Sequence, residues 1–255
     1  MWGLIKNEWL KFRHNKKFYG FLLVIFVVYM LPVLMTLVVK MNTYNGQVYP
    51  LSMFGVIVAF VIPIFLIILV AEIITDEYLS GNLALSLVHP VSRLQVLTAK
   101  AIFLLLVILG LLLYSLVISY GIGTIIFGWG KDFMMRGATF TMAEGVFITV
   151  SSYLSAALPL FAFSLFVTFI AFIFQGSAAV VGISAGVFML LIILDLLFDQ
   201  LRPVIITSYF NTVPIIFNYL ANPLSIIFSL MFVSVFGFIF YTLALTYFLR
   251  KDMSS

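Results

Sequence analysis

The chain is 255 residues long, 64% hydrophobic and 9% charged, with 13 basic against 9 acidic residues and a mean hydropathy of +1.26. Soluble domains carry about 25% charged residues, so this composition cannot clothe itself in a polar surface, and a soluble globular enzyme is excluded. The net charge of +4 falls in short clusters between long apolar runs, which reads as membrane-topology charge and not as a face for nucleic acid. The absence of cysteine excludes disulfides, thiolate metal sites and cysteine nucleophiles.

Residues 1–17 come first. Trp2, Ile5, Trp9 and Phe12 recur at spacings of 3, 4 and 3, with Lys6, Lys11, Arg13 and His14 between them. That pattern predicts a short amphipathic helix lying in the membrane interface, tryptophans at headgroup depth and basic residues toward anionic lipid.

A helix needs about 20 apolar residues to cross about 30 Å of hydrocarbon, and six stretches qualify: 18–39, 51–74, 101–127, 145–174, 178–195 and 224–249. The first is too long for a signal-peptide core and is followed by no small-residue cleavage site, so it is expected to stay as an anchor. The second carries Pro63, where a membrane helix tolerates a kink. The third gives way to a Gly128-Trp129-Gly130-Lys131-Asp132 turn, and the fourth is long enough to be tilted, or broken at Pro159. In the fifth, Ala178, Gly182 and Gly186 form a small-residue stripe that lets helix backbones approach closely, either within one subunit or between two. Residues 196–223 are broken by Pro203, Pro214 and Pro223, yet rich in Ile, Phe and Tyr. A segment re-entering the outer leaflet fits them, since irregular backbone at that depth has to be buried in protein.

Six crossings put both termini on one side. That side, with the 75–100 loop, holds nine basic residues: Lys6, Lys11, Arg13, Lys16, Lys17, Arg93, Lys100, Arg250 and Lys251. The other holds Lys40, Lys131, Arg136 and Arg202. The imbalance predicts cytoplasmic termini. The fold class expected is an all-α integral membrane protein of the cell (plasma) membrane, one domain of six transmembrane helices with an N-terminal interfacial helix and a re-entrant extracellular segment before the last helix.

Candidate chemistry is sparse. His14 and His89 lie in polar flanks a whole hairpin apart, and neither belongs to a His-Glu-x-x-His zinc helix. Asp76 and Glu77 are adjacent, so on a helix they point about 100° apart and suit helix termination better than a shared proton or metal. There is no Gly-x-x-x-x-Gly-Lys-[Ser/Thr] phosphate loop, so ATP is not hydrolysed here by that route. Glu72 and Asp195 sit near span ends and not at the midplane, where ion-coupled carriers keep their relays. No catalytic residue, metal site or cofactor is expected. An ion-coupled secondary transporter and a non-transporting scaffold stand as alternative readings.

The 75–100 loop carries the most organised pattern. Leu79, Leu83 and Leu87 recur every four residues among Ser80, Asn82 and Ser86, so a short helix starts near Gly81 and ends before Pro90. Held between two spans and capped by a rigid Pro90-Val91-Ser92-Arg93 turn, such a helix is a lever. Glu77, Gly81, Asn82, Leu85, Leu87, Pro90, Ser92, Arg93 and Lys100, with six spans around them, resemble the permease subunits of ABC-2 type ATP-binding cassette exporters. Asn82 departs from the family pattern by replacing a threonine. The resemblance implies a cytoplasmic ABC ATPase in two copies, which uses the ATP and Mg, and a second permease subunit, identical or related. It makes Tyr78–Val88 the coupling helix, with Tyr78, Leu79, Gly81, Asn82, Leu83, Leu85, Leu87, Pro90 and Arg93 as its ATPase-coupling residues, seated in the ATPase with the interfacial helix. Small members of similar size include lantibiotic-immunity permeases and exporters of amphipathic peptides. A hydrophobic or amphipathic peptide suits the 28 Phe and 12 Tyr residues of this chain.

Overall fold

The computed structural model describes residues 2–39, 44–76, 92–130, 133–135, 138–174, 176–211 and 223–250. Helix α1 (Trp2–Arg13) leads into α2 (Lys16–Val39); α3 spans Tyr49–Asp76 and α4 spans Arg93–Phe127. A small hairpin, β1 (Phe133–Met135) and β2 (Ala138–Phe140), precedes α5 (Met142–Ser155), α6 (Ala157–Ile173), α7 (Ser177–Leu197) and α8 (Pro223–Arg250). Six stretches are long and apolar enough to cross a membrane, with α5 and α6 together making the fourth. The protein is therefore an all-α integral membrane protein in its architecture, and the hairpin, pairing Phe133 with Phe140 antiparallel, is the only sheet among the described residues.

Local sequence explains where these helices start and bend. α4 begins at Arg93, eight residues before the start expected from hydropathy, because Ser92 and Gln95 form a capping box: Gln95 N–H donates to Ser92 Oγ (3.2 Å) and Ser92 N–H to Gln95 Oε1 (3.0 Å). At 35 residues α4 runs about 50 Å, well beyond the hydrocarbon thickness. A second box, Thr141 with Glu144, opens α5. In α3 the backbone widens into a π turn over Ile57–Val61, just before Pro63, whose ring would otherwise crowd the carbonyl four residues back. The fourth span breaks at Ala156 and not at Pro159. Pro159 occupies the third position of α6, where no intrahelical N–H is needed, and the bond it cannot make would have gone to residue 155.

α6 is the centre of the bundle, with Leu160, Phe163 and Val167 fully enclosed, while α2, α7 and α8 keep most of their surface outward. α8 lies along α6, where Gly237 lets the backbones close up against Ala162. Rings interlock across the seam: Phe166 meets Phe236 and Phe240, and Phe163 meets Phe188 and Phe210. Much of the phenylalanine content thus binds helix to helix. The broken segment after α7 makes 3-10 turns at Asp199–Val204 and Ile206–Ser208 and then buries Ile205, Ile206, Thr207, Tyr209 and Phe210. Tyr209 stacks on Phe232 at 5.0 Å and donates to the Pro203 carbonyl at 2.7 Å.

Candidate functional site

The described ends of the chain lie at one end of the bundle, where ion pairs and hydrogen bonds tie α1, α2, α3 and α4 together. Lys100, two turns into α4, has a side chain only 4% exposed; its ammonium donates to Glu8 Oε1 of α1 at 3.0 Å and to the Ile73 carbonyl of α3 at 3.1 Å. The acceptor Ile73 lies in the π turn Ala71–Asp76 that closes α3. One residue earlier, Glu72 accepts from Asn15 Nδ2 at 2.7 Å and from Lys17 Nζ at 3.3 Å, in the hinge between α1 and α2. A buried ammonium is tolerable only when paired and hydrogen-bonded, and here its partners come from α1 and from the end of α3.

Arg93, the first residue of α4, reaches the end of α8. It donates to the Phe248 and Leu249 carbonyls at 2.8 and 3.1 Å and lies over the Phe248 ring at 5.7 Å. Those carbonyls belong to the last turn of a helix, where no backbone partner is available. Higher up, Thr98 donates to the Leu94 carbonyl and accepts from the Tyr241 hydroxyl at 2.8 Å, a second tie between α4 and α8.

Of the coupling residues expected from sequence, Tyr78, Leu79, Gly81, Asn82, Leu83, Leu85, Leu87 and Pro90 lie outside the described residues, as do Glu77 and His89. Arg93 is described, and its guanidinium is committed to α8. The aromatic stripe of α1 divides: Phe12 is buried against Phe103 of α4 (ring centroids 5.3 Å), Ile5 is half-buried beside it, and Trp2 and Trp9 remain exposed. Sequence reasoning missed Glu8, which shares the inward face with Phe12 and Ile5. The signal was present, since Glu8 is the only acidic residue before Glu72 and stands among five basic ones. Ala178, Gly182 and Gly186 share a face of α7 turned away from the other described residues, none of which lies within 4 Å of where a Cβ at either glycine would stand. Asp195 accepts from Ser208 at 2.7 Å and lies 3.4 Å from Arg202, at the opposite end of the bundle from Glu72.

Between α2, α3 and α5 that opposite end is held by neutral groups, the Arg202 pairs being confined to the end of α7 and the segment after it. Tyr29 donates to the Tyr153 hydroxyl at 2.9 Å, Tyr153 donates to the Pro50 carbonyl at 2.9 Å, and Tyr49 donates to the Tyr29 carbonyl, joining α2, α3 and α5. Gly46 N–H meets the Gly128 carbonyl at 2.7 Å, and Gln47 donates to the Gly130 carbonyl at 2.9 Å. Gly128 and Gly130 have φ of 71° and 81°, a region that glycine enters without strain, which is why the turn after α4 contains both. Among the described residues no group of His, Cys, Asp or Glu is arranged to hold a metal.

An outward groove of about 400 Å³ runs between α4, α6 and α8, lined by Ile102, Leu105, Phe161, Leu165, Val233 and Phe238. The Thr98–Tyr241 pair lines it as well. Its wall is almost wholly apolar.

A bundle with six helical stretches long and apolar enough to cross a membrane is the build of a multi-pass membrane protein. The family model for ABC-2 family transporter proteins matches residues 4–168, and the chain belongs to that family. It is also 26% identical over 210 residues to the uncharacterized protein YhcI of Bacillus subtilis strain 168, a match covering 75% of this chain and 64% of that relative's length.

Proposed function

We propose that this chain is the membrane-spanning permease subunit of an ATP-driven ABC exporter, with the charged end of the bundle facing the cytoplasm. The observation that carries the reading is the junction itself: Lys100, Glu8 and Glu72 fasten α1 to the end of α3 and the start of α4, the two helices that residues 77–91 connect in sequence. A loop that only joined two spans would need no such frame. In this reading Tyr78–Val88 seats in a cytoplasmic ABC ATPase present in two copies, which binds ATP and Mg. Closure of the ATPase pair pushes the loop, and the frame passes the push to the second and third spans. The outward Ala178–Gly182–Gly186 face supports contact with a second permease subunit, and the buried Ile205–Phe210 stretch supports a segment that turns back into the outer leaflet.

The cargo we infer is a hydrophobic or amphipathic peptide. The described membrane-facing groove is apolar and uncharged, which suits a substrate taken from lipid and not one carried in water. The test begins with purification of the tagged chain from its native membrane, where a Walker-motif ATPase is expected to travel with it. Leu83→Asp or Leu87→Asp is expected to release that ATPase while the chain stays inserted. Undiminished association in both variants sinks the coupling role of the loop. ATP-dependent movement of an amphipathic helical peptide across reconstituted vesicles tests the cargo.

A further inference from the structure

Among the described ion pairs, Glu8–Lys100 differs from the rest in burial. Lys17–Glu72 and the Arg202 pairs each leave a side chain more than half exposed, whereas the Glu8 and Lys100 side chains are 11% and 4% exposed. A lysine near the end of a membrane helix ordinarily extends its amine to water. Lys100 instead turns into the junction, to Glu8 and the Ile73 carbonyl, while the Trp9 and Phe12 rings of α1 meet Phe103 of α4. Two apolar side chains of similar volume would hold α1 on α4 equally well, because burying an ion pair costs desolvation. What the pair adds is register. The ammonium has to meet a carboxylate on α1 and a carbonyl on α3 together, and sliding any of the three helices separates charges in apolar surroundings.

We propose that Lys100 is a positioning residue that makes α1, the end of α3 and the start of α4 one rigid block. Movement of α1 is then delivered to the second and third spans without slack. The inference deepens the reading that a nucleotide-driven partner acts on this face, and it stands on that reading for its purpose but not for its geometry.

The chain has no cysteine, so introduced cysteines carry spin labels without background. Leu10→Cys on α1 and Ile125→Cys at the far end of α4 use side chains that are 46% and 85% exposed. Because α4 is continuous, residue 125 reports its inner end from about 40 Å away, within range of pulsed dipolar spectroscopy. In the full chain in lipid nanodiscs a single narrow distance is expected. Glu8→Gln or Lys100→Met should roughly double its width, and the exchange Glu8→Lys with Lys100→Glu should narrow it again. A distribution that stays narrow in both single variants overturns the proposal. Should the single variants fail to fold, Glu8→Leu with Lys100→Met leaves no buried charge unpaired and decides instead, broadening in support and an unchanged width against. In the assembled complex, addition of ATP and Mg should leave the wild-type distance in place; a shift of about one helical turn, ~5 Å, overturns the rigid block. Failure of the chain to assemble with any ATPase would sink the proposed function while the measurement on the chain alone still decides the clamp.

Discussion

At the charged end of the bundle the helices meet through Glu8–Lys100, Lys17–Glu72 and Arg93 on the last carbonyls of α8. Across α2, α3, α5 and the turn after α4, the opposite end is joined by tyrosine hydroxyls, backbone carbonyls and glycines packed close against their neighbours, and its ion pairs, those of Arg202, stay within the end of α7 and the segment after it. The contrast is one of reach. A tyrosine hydroxyl on a rigid ring, or a glycine against a backbone, fixes helices at one separation and tolerates little adjustment. Lysine, arginine and glutamate reach farther, so they can hold a separate piece such as α1, and where the pair is buried, as at Glu8–Lys100, the cost of separating charges in apolar surroundings fixes where it sits. In the proposed reading the neutral end is the pivot and the charged end is the worked end.

The contrast is broken most sharply at Lys100. Lys100→Met strands the Glu8 carboxylate in the junction and should cost about 3–5 kcal/mol, read as a loss of thermal stability in nanodiscs. The paired change Glu8→Leu with Lys100→Met should recover most of it; an equal loss in the pair would mean that packing and not charge holds this end. At the neutral end the strongest blow is Gly145→Ala. Its Cβ would stand 2.6 Å from the ring of Phe133, which is fully buried, so a cost of about 2 kcal/mol is expected by the same assay. Tyr153→Phe leaves the Pro50 carbonyl without this donor and the Tyr29 hydroxyl without this acceptor, for about 1–2 kcal/mol. Ser92→Ala removes the cap of α4 and should cost about 1 kcal/mol, with fraying of the Arg93–Val96 turn visible in hydrogen exchange. Smallest is Lys17→Ala, whose side chain is 60% exposed; a change above about 1 kcal/mol there would show that the hinge is less screened than its exposure implies.

The six spans were readable in the sequence because apolar run length is a local property, set by bilayer thickness and the rise of a helix. Their bounds were readable only in part. Hydropathy starts the third span at Ala101, but the Ser92-x-x-Gln95 box, also in the sequence, starts the helix at Arg93. The same holds for Thr141-x-x-Glu144 before α5. In α1 the four-residue apolar stripe predicted the helix but not its orientation. Phe12 turned inward and the tryptophans outward because the inward face is chosen by Glu8, whose partner is 92 positions away.

From the order of residues alone come the count of membrane helices, the membership of both chain ends in the more basic side, and the leucine pattern of the 77–91 loop. These follow from composition and periodicity along short stretches, and no fold is needed to read them. Which carboxylate meets Lys100, which carbonyls receive Arg93, and which way the Ala178–Gly182–Gly186 face turns were decided only when the helices packed. Such pairings join residues far apart in the chain, and the cost of leaving a charge or a hydroxyl unpaired in an apolar interior is set by whatever neighbour the tertiary fold supplies.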